Sequence, residues 1–145
     1  MKNVYFVQVD VSACMGAQNA YLPYTAGILV ASAWQSEIVK QNYCFKEFIF
    51  LRESVDGVVA RMDNPYIAAF STYSWSTEYN KLLAKAVKEK YPECKIVFGG
   101  HNVPDDFRSS KNAIISIFSA TARVKTPSEL SWKLLQRIQS ALYLC

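Results

Sequence analysis

The chain has 145 residues, 51% of them hydrophobic and 14% aromatic, which supports one domain with a real core and excludes a disordered chain. Lys and Arg balance Asp and Glu over residues 1–110, and the net charge of +4 arises in 111–145, where Lys111, Arg123, Lys125, Lys133 and Arg137 face Glu129 alone. The body therefore carries no basic patch of the kind that binds nucleic acid.

Val4-Tyr5-Phe6-Val7-Gln8-Val9 is a nearly continuous apolar run, as in a strand buried on both faces of a parallel sheet. Residues 10–21 read as a loop. A helix is predicted over 22–35, with Pro23 in its first turn, where a missing N–H is harmless. Ala26, Gly27, Ala31 and Ala33 would let it pack close to the sheet. A second strand is predicted over 44–50 and a short helix over 55–62, with Glu53 and Asp56 near its positive end. Tyr66-Ile67-Ala68-Ala69-Phe70 is a third buried strand and opens into Ser71-Thr72-Tyr73-Ser74-Trp75-Ser76. A helix over 77–91 follows, with Tyr79, Leu82, Leu83, Ala86 and Val87 as its buried stripe and Pro92 ending it. Residues 95–98 form a fourth strand that runs into Gly99-Gly100-His101-Asn102-Val103-Pro104. Residues 114–118 read as a fifth strand. Thr126-Pro127-Ser128-Glu129 reads as a helix start, continued by Leu130, Leu134, Ile138 and Leu142.

Strand and helix thus alternate, which implies right-handed βαβ units and a parallel sheet covered on both faces. In such sheets ligands bind at the carboxyl ends of the strands. The paired glycines sit there, and a glycine has no Cβ to hold a close neighbour off. Tyr73 and Trp75 sit at the same edge and either cover a large flat cofactor or cap the core.

Catalytic signatures are missing. His101 is the only histidine. It reads as structural or solvated, or as a hydrogen-bond partner for a ligand, and it has no metal-binding partner at suitable spacing. Ser71 and Ser76 have no triad histidine, Asp105-Asp106 read as solvated, and no Gly-x-Gly-x-x-Gly or Walker loop occurs. Cys14, Cys44, Cys94 and Cys145 form no Cys-x-x-Cys pair, so neither a zinc site nor a thioredoxin motif is expected. No signal peptide is recognisable, and no apolar run reaches the roughly 18 residues of a membrane span. The expectation is a reduced, cytoplasmic protein with no metal site and no catalytic residue.

Together the first strand, Leu22-Pro23-Tyr24-Thr25-Ala26-Gly27-Ile28-Leu29, the 70–76 segment, residues 82–92 and the 96–104 segment carry a family likeness. Over residues 1–107 the chain resembles the N-terminal cobalamin-binding domain of cobalamin-dependent radical S-adenosylmethionine proteins. The resemblance implies a flavodoxin-like α/β domain of four to five parallel strands, with cobalamin (vitamin B12) across their carboxyl ends. It implies contacts from Asp10 after the first strand and from Pro23, Tyr24 and Gly27 at the helix start. It implies more from Ser71, Thr72, Tyr73, Trp75 and Ser76, and from Gly99, Gly100, His101 and Pro104. The Asp-x-His-x-x-Gly signature of other cobalamin proteins is absent, so His101 is not assigned to cobalt.

The family's radical domain uses S-adenosylmethionine and a four-iron four-sulfur cluster, and its Cys-x-x-x-Cys-x-x-Cys motif does not occur here. A cofactor-holding module without catalysis of its own is therefore expected. The competing readings are a flavin or nucleotide carrier and a cofactor-free interaction domain. Residues 108–145 depart from the family, giving Ser116-Ile117-Phe118-Ser119-Ala120-Thr121-Ala122-Arg123 in place of a strand and a Gly-Glu-x-Glu-like turn. This tail reads either as a closing strand and helix or as a frame-shifted remnant. Codons for 119–132 can be chosen that, read two bases later, encode Arg-His-Gly-Glu-Ser-Lys-Asp-Ala-Phe-Arg-Ala-Leu-Leu, like the family's continuation. If the tail does not fold, an open sheet edge near residue 114 would favour a homodimer.

Overall fold

Alternating strand and helix become a five-stranded sheet in the computed structural model, which describes residues 1–11, 22–100 and 102 and the backbone of 114–116. In chain order the elements are β1 (Lys2–Val7), α1 (Tyr24–Ala33), α2 (Glu37–Asn42), β2 (Tyr43–Ile49) and α3 (Val55–Arg61). They continue with β3 (Pro65–Ser71), α4 (Thr77–Lys90), β4 (Lys95–Gly99) and β5 (Ile114–Ser116). The strand order is β2-β1-β3-β4-β5 and every neighbouring pair is parallel. This is the flavodoxin-like order of a doubly wound sheet.

Connection direction explains where the cleft opens. The chain moves outward from β1 to β2, then crosses back past β1 to β3 and continues to β4. Right-handed crossovers in opposite directions put their helices on opposite faces. The reversal falls between β1 and β3, so the loops leaving these two strands part company there.

The larger core cluster lies under α3 and α4. It joins Tyr5, Val7 and Val9 to Val58, Val59 and Met62, and to Leu83, Ala84 and Val87. Register aligns Ile49 with Val7, Val7 with Phe70, and Phe70 with Phe98, one apolar row across four strands. The Phe70 and Phe98 rings stack at 5.1 Å. Burying one such side chain contributes about 1.5–3 kcal/mol. The opposite face carries Val4, Ile67 and Val97 with Phe6 and Phe45, and Trp34 at the end of α1 sets its ring 5.6 Å from Phe45.

Several boundaries differ from the sequence reading. Helix α1 starts at Tyr24, with Pro23 just before it. The Pro23 carbonyl accepts the Gly27 N–H at 2.9 Å, so proline serves the helix from outside its first turn. Helix α2 was not foreseen, because its six residues bury none of their side chains and give no apolar period. The stripe of α4 is also shifted. Leu82 is 60% exposed, while Asn80, Leu83, Ala84 and Val87 are the buried residues. Of the expected fifth strand, Ile114–Ser116 is a strand, and residues 117 and 118 lie outside the described residues. The helix expected from residue 126 lies outside the described residues, as does most of the 10–21 loop.

The shift in α4 has a direct test. Leu83→Ala should cost about 2–5 kcal/mol in urea unfolding, whereas Leu82→Ala should stay within about 0.5 kcal/mol. Equal losses at the two positions would contradict the observed helix phase.

Candidate functional site

The cleft lies where the switch in connection direction puts it. About 280 Å³ of space is lined by Gln8, Val9, Asp10 and Val11 after β1, by Leu22 before α1, and by Tyr73 and Trp75 after β3. Past the end of β1 the backbone still pairs with β2, through Gln8 N–H to Ile49 O at 2.9 Å and Asp10 N–H to Phe50 O at 3.1 Å. The lining residues after β1 are therefore held on a ladder.

Tyr73 and Trp75 form the platform of the cleft. Their rings stack at 4.7 Å between centroids and 4° between planes. The Trp75 indole N–H donates to the Val9 carbonyl at 3.2 Å, which ties the β3 loop to the β1 loop across the cleft. Trp75 remains 39% exposed and offers apolar surface at the opening. Leu22 and Tyr24, 81% and 75% exposed, extend that surface at the start of α1.

Thr72, Ser76 and Asn80 are fully buried beneath the loop. The Asn80 amide donates toward Ser71 O at 3.2 Å, and lies 3.4 Å from both Thr72 Oγ1 and Ser76 Oγ. Ser76 Oγ accepts the Tyr73 N–H at 3.1 Å. Thr77 Oγ1 donates to Tyr73 O at 2.8 Å and accepts from the Asn102 side chain at 2.7 Å. These groups shape the turn that presents Tyr73 and Trp75; the Thr72 and Ser76 hydroxyls are directed inward.

The paired glycines have a definite role. The Thr72 N–H donates to Gly99 O at 2.6 Å and the Asn102 N–H donates to Thr72 O at 3.1 Å. Between them Gly100 takes φ +112°, and a Cβ there would stand 2.5 Å from Thr72 O. The close neighbour that requires glycine is thus the β3 exit itself. Gly27 is different, since nothing lies within 4 Å of a Cβ built on it. His101 and Pro104 lie outside the described residues.

Two residues the sequence reading passed over belong to the site. Gln8 lines the cleft, and its side-chain carbonyl accepts the Ala26 N–H at 3.0 Å, capping α1 where Pro23 and its neighbours offer no side-chain cap. Its signal was a lone polar residue in the first apolar strand. Arg52, after β2, donates from Nη2 to the Trp75 carbonyl, and its signal was only a cation near a strand end. Away from the cleft, just before β4, desolvation pushes the buried Cys94 thiol up to about 11, which leaves it inert. Among the described residues, no group of three or more His, Cys, Asp or Glu could hold a metal ion, and no helix is long and apolar enough to cross a membrane.

The architecture is that of a flavodoxin-like α/β domain with a ligand-type cleft at its switch point. A solved two-component transcriptional regulator AraC from Clostridium phytofermentans ISDg shares the fold, with a TM-score of 0.53 and 16% identity over 99% of this chain and 96% of that one. In sequence, the chain is 36% identical over 108 residues to the cobalamin-dependent radical SAM methyltransferase TokK of Streptomyces tokunonensis. It is 33% identical over 104 residues to the 2-(S-pantetheinyl)-carbapenam-3-carboxylate methyltransferase of Streptantibioticus cattleyicolor. Each match covers 72% of this chain and 14% of the relative, so the chain spans about a seventh of the curated relatives' length. No protein-family model matches it.

The two glycines should respond oppositely to a methyl group. Gly100→Ala should lose about 1–3 kcal/mol to backbone strain and collision with Thr72. Gly27→Ala, inside α1 with open space around it, should gain about 0.5–1 kcal/mol. Denaturant midpoints measure both, and a neutral Gly100→Ala would contradict the tight junction.

Proposed function

We propose that this chain is a cobalamin-binding module and that the cleft between the β1 and β3 exits receives the cofactor. The observation that carries the reading is a conjunction. Sequence similarity to a protein named as cobalamin-dependent coincides with a switch-point cleft built around a stacked Tyr73–Trp75 platform.

The residues suit part of such a ligand. A corrin is broad and flat, with apolar faces and an amide-bearing rim. Trp75 and Leu22 offer apolar surface, Gln8 and Asp10 offer polar atoms, and the opening admits one edge of a large ligand. The Asp10 N–H bonds to Phe50 O at 3.1 Å and the Tyr73 ring stacks on Trp75, so both are held in the wall. The buried Thr72–Ser76–Asn80 network keeps the platform in place from below, which lowers the ordering cost of binding. No described residue is assigned to cobalt.

Bound cobalamin supplies a cobalt centre able to carry a methyl group. This chain's own contribution is to bind and orient the ring system and to shield one side of it with Tyr73 and Trp75. A methyl transfer would call on catalytic groups beyond this cleft. In this reading the module is a holder, and no described residue is assigned a proton transfer or a bond-forming step.

Titrating hydroxocobalamin into the purified chain should shift the cofactor's visible spectrum, and the colour should follow the protein through a desalting column. Trp75→Ala should weaken binding about tenfold, the scale of one lost aromatic contact. No spectral change together with no retention would sink the reading, and a yellow protein as purified would favour a flavin instead.

A further inference from the structure

We propose that Arg52 is a positioning residue for the Tyr73–Trp75 platform, so that the β2 exit controls how the cleft presents its aromatic face. The effect on cofactor affinity rests on the cobalamin reading; the effect on the platform does not.

Trp75 is held at two points. Its indole N–H reaches the β1 exit through Val9 O at 3.2 Å. Its backbone carbonyl is held from the other side by the Arg52 guanidinium, which comes from the loop after β2. The same guanidinium lies 5.6 Å from the centre of the Tyr79 ring, in the first turn of α4. Arg52 therefore joins three elements: the β2 exit, the β3 loop and the start of α4. A planar guanidinium can donate a hydrogen bond in its plane while its face lies on a ring, and an ammonium cannot reproduce both.

The loop that carries Arg52 is itself anchored. Glu53, the next residue, pairs with Arg61 near the end of α3, and Arg61 also donates to Glu47 of β2 at 2.8 Å. The Glu53 N–H bonds to Leu51 O at 3.1 Å, closing the loop on itself. Arg52 thus projects from a braced turn. A charge-assisted bond to a carbonyl from such a base restricts Trp75 more than a free surface side chain would.

Among the described residues, no other contact requires an arginine at this position. The residue is exposed, and its contacts serve the Trp75 carbonyl and the Tyr79 ring. The platform, by contrast, depends on the turn geometry that this carbonyl helps to set. With the carbonyl released, Trp75 keeps its indole bond to Val9 and pivots about it, so the parallel stack on Tyr73 loosens.

The test compares Arg52→Ala and Arg52→Lys with the parent chain. The part of the near-ultraviolet circular dichroism that Trp75→Phe removes reports the Tyr73–Trp75 stack without any ligand. Arg52→Ala should lose most of that signal, and Arg52→Lys should recover part of it, while far-ultraviolet spectra stay the same. Hydroxocobalamin affinity should fall about tenfold in Arg52→Ala, the order of one charge-assisted hydrogen bond. An unchanged aromatic signal in a folded Arg52→Ala overturns the proposal. If Arg52→Ala does not fold, the Arg52→Lys signal decides it in the same sense. If the parent binds no hydroxocobalamin, the cobalamin reading fails alone, and the aromatic signal still judges Arg52.

Discussion

The structure turns on the contact between the exits of β3 and β4. Thr72 gives its N–H to Gly99 and its carbonyl to Asn102, and Gly100 adopts a positive φ because no side chain fits between these bonds. Glycine at that point lets two loops lie backbone to backbone. The consequence is a fixed starting point for residues 72–76. From it, the buried hydroxyls and the Asn80 amide set the turn, and the turn sets the aromatic platform. A looser junction would leave Tyr73 and Trp75 without a defined position, however well the sheet below them packed.

Topology supplies the other half of the site. Reversal of the chain between β1 and β3 separates their exits, and the cleft is the space left over. That space is bounded by side chains from the two ends of the β1–α1 connection and from the β3–α4 loop, which the Trp75 indole bond to Val9 ties together. Arg52 adds the β2 exit to the same assembly. The carboxyl end of the sheet is thus a cross-braced surface, which suits holding a rigid ligand better than enclosing a flexible one. The sheet interior makes this affordable, since the Ile49, Val7, Phe70 and Phe98 row keeps the strands in register just beneath the exits.

Much of this was legible in the residues. Continuous apolar strands and alternating helices gave the parallel sheet, because a strand buried on both faces leaves little choice of residue. Tyr73, Trp75 and the glycines were recognisable as strand-exit features. The rest was hidden for physical reasons. Whether a glycine faces a ligand or a neighbouring loop is a tertiary fact, and Gly100 proved to face Thr72. Asn80 sits inside α4 where a period of apolar residues pointed to Leu82, because a buried amide bonding three loop groups outweighed the apolar pattern. Helix α2 left no trace because it buries nothing. Arg52 touches residues more than twenty positions away, and no local spacing encodes that.

The central claim is that one surface, the β1 and β3 exits, takes the cofactor. Amide chemical-shift mapping of the isotope-labelled chain during hydroxocobalamin addition tests it most directly. The account predicts that the perturbed amides cluster at residues 8–11, at 72–76 and around Asn102, with the Trp75 indole N–H among them. Perturbations gathered at the opposite ends of the strands, around residues 2–4, 43–45 and 65–67, would contradict it.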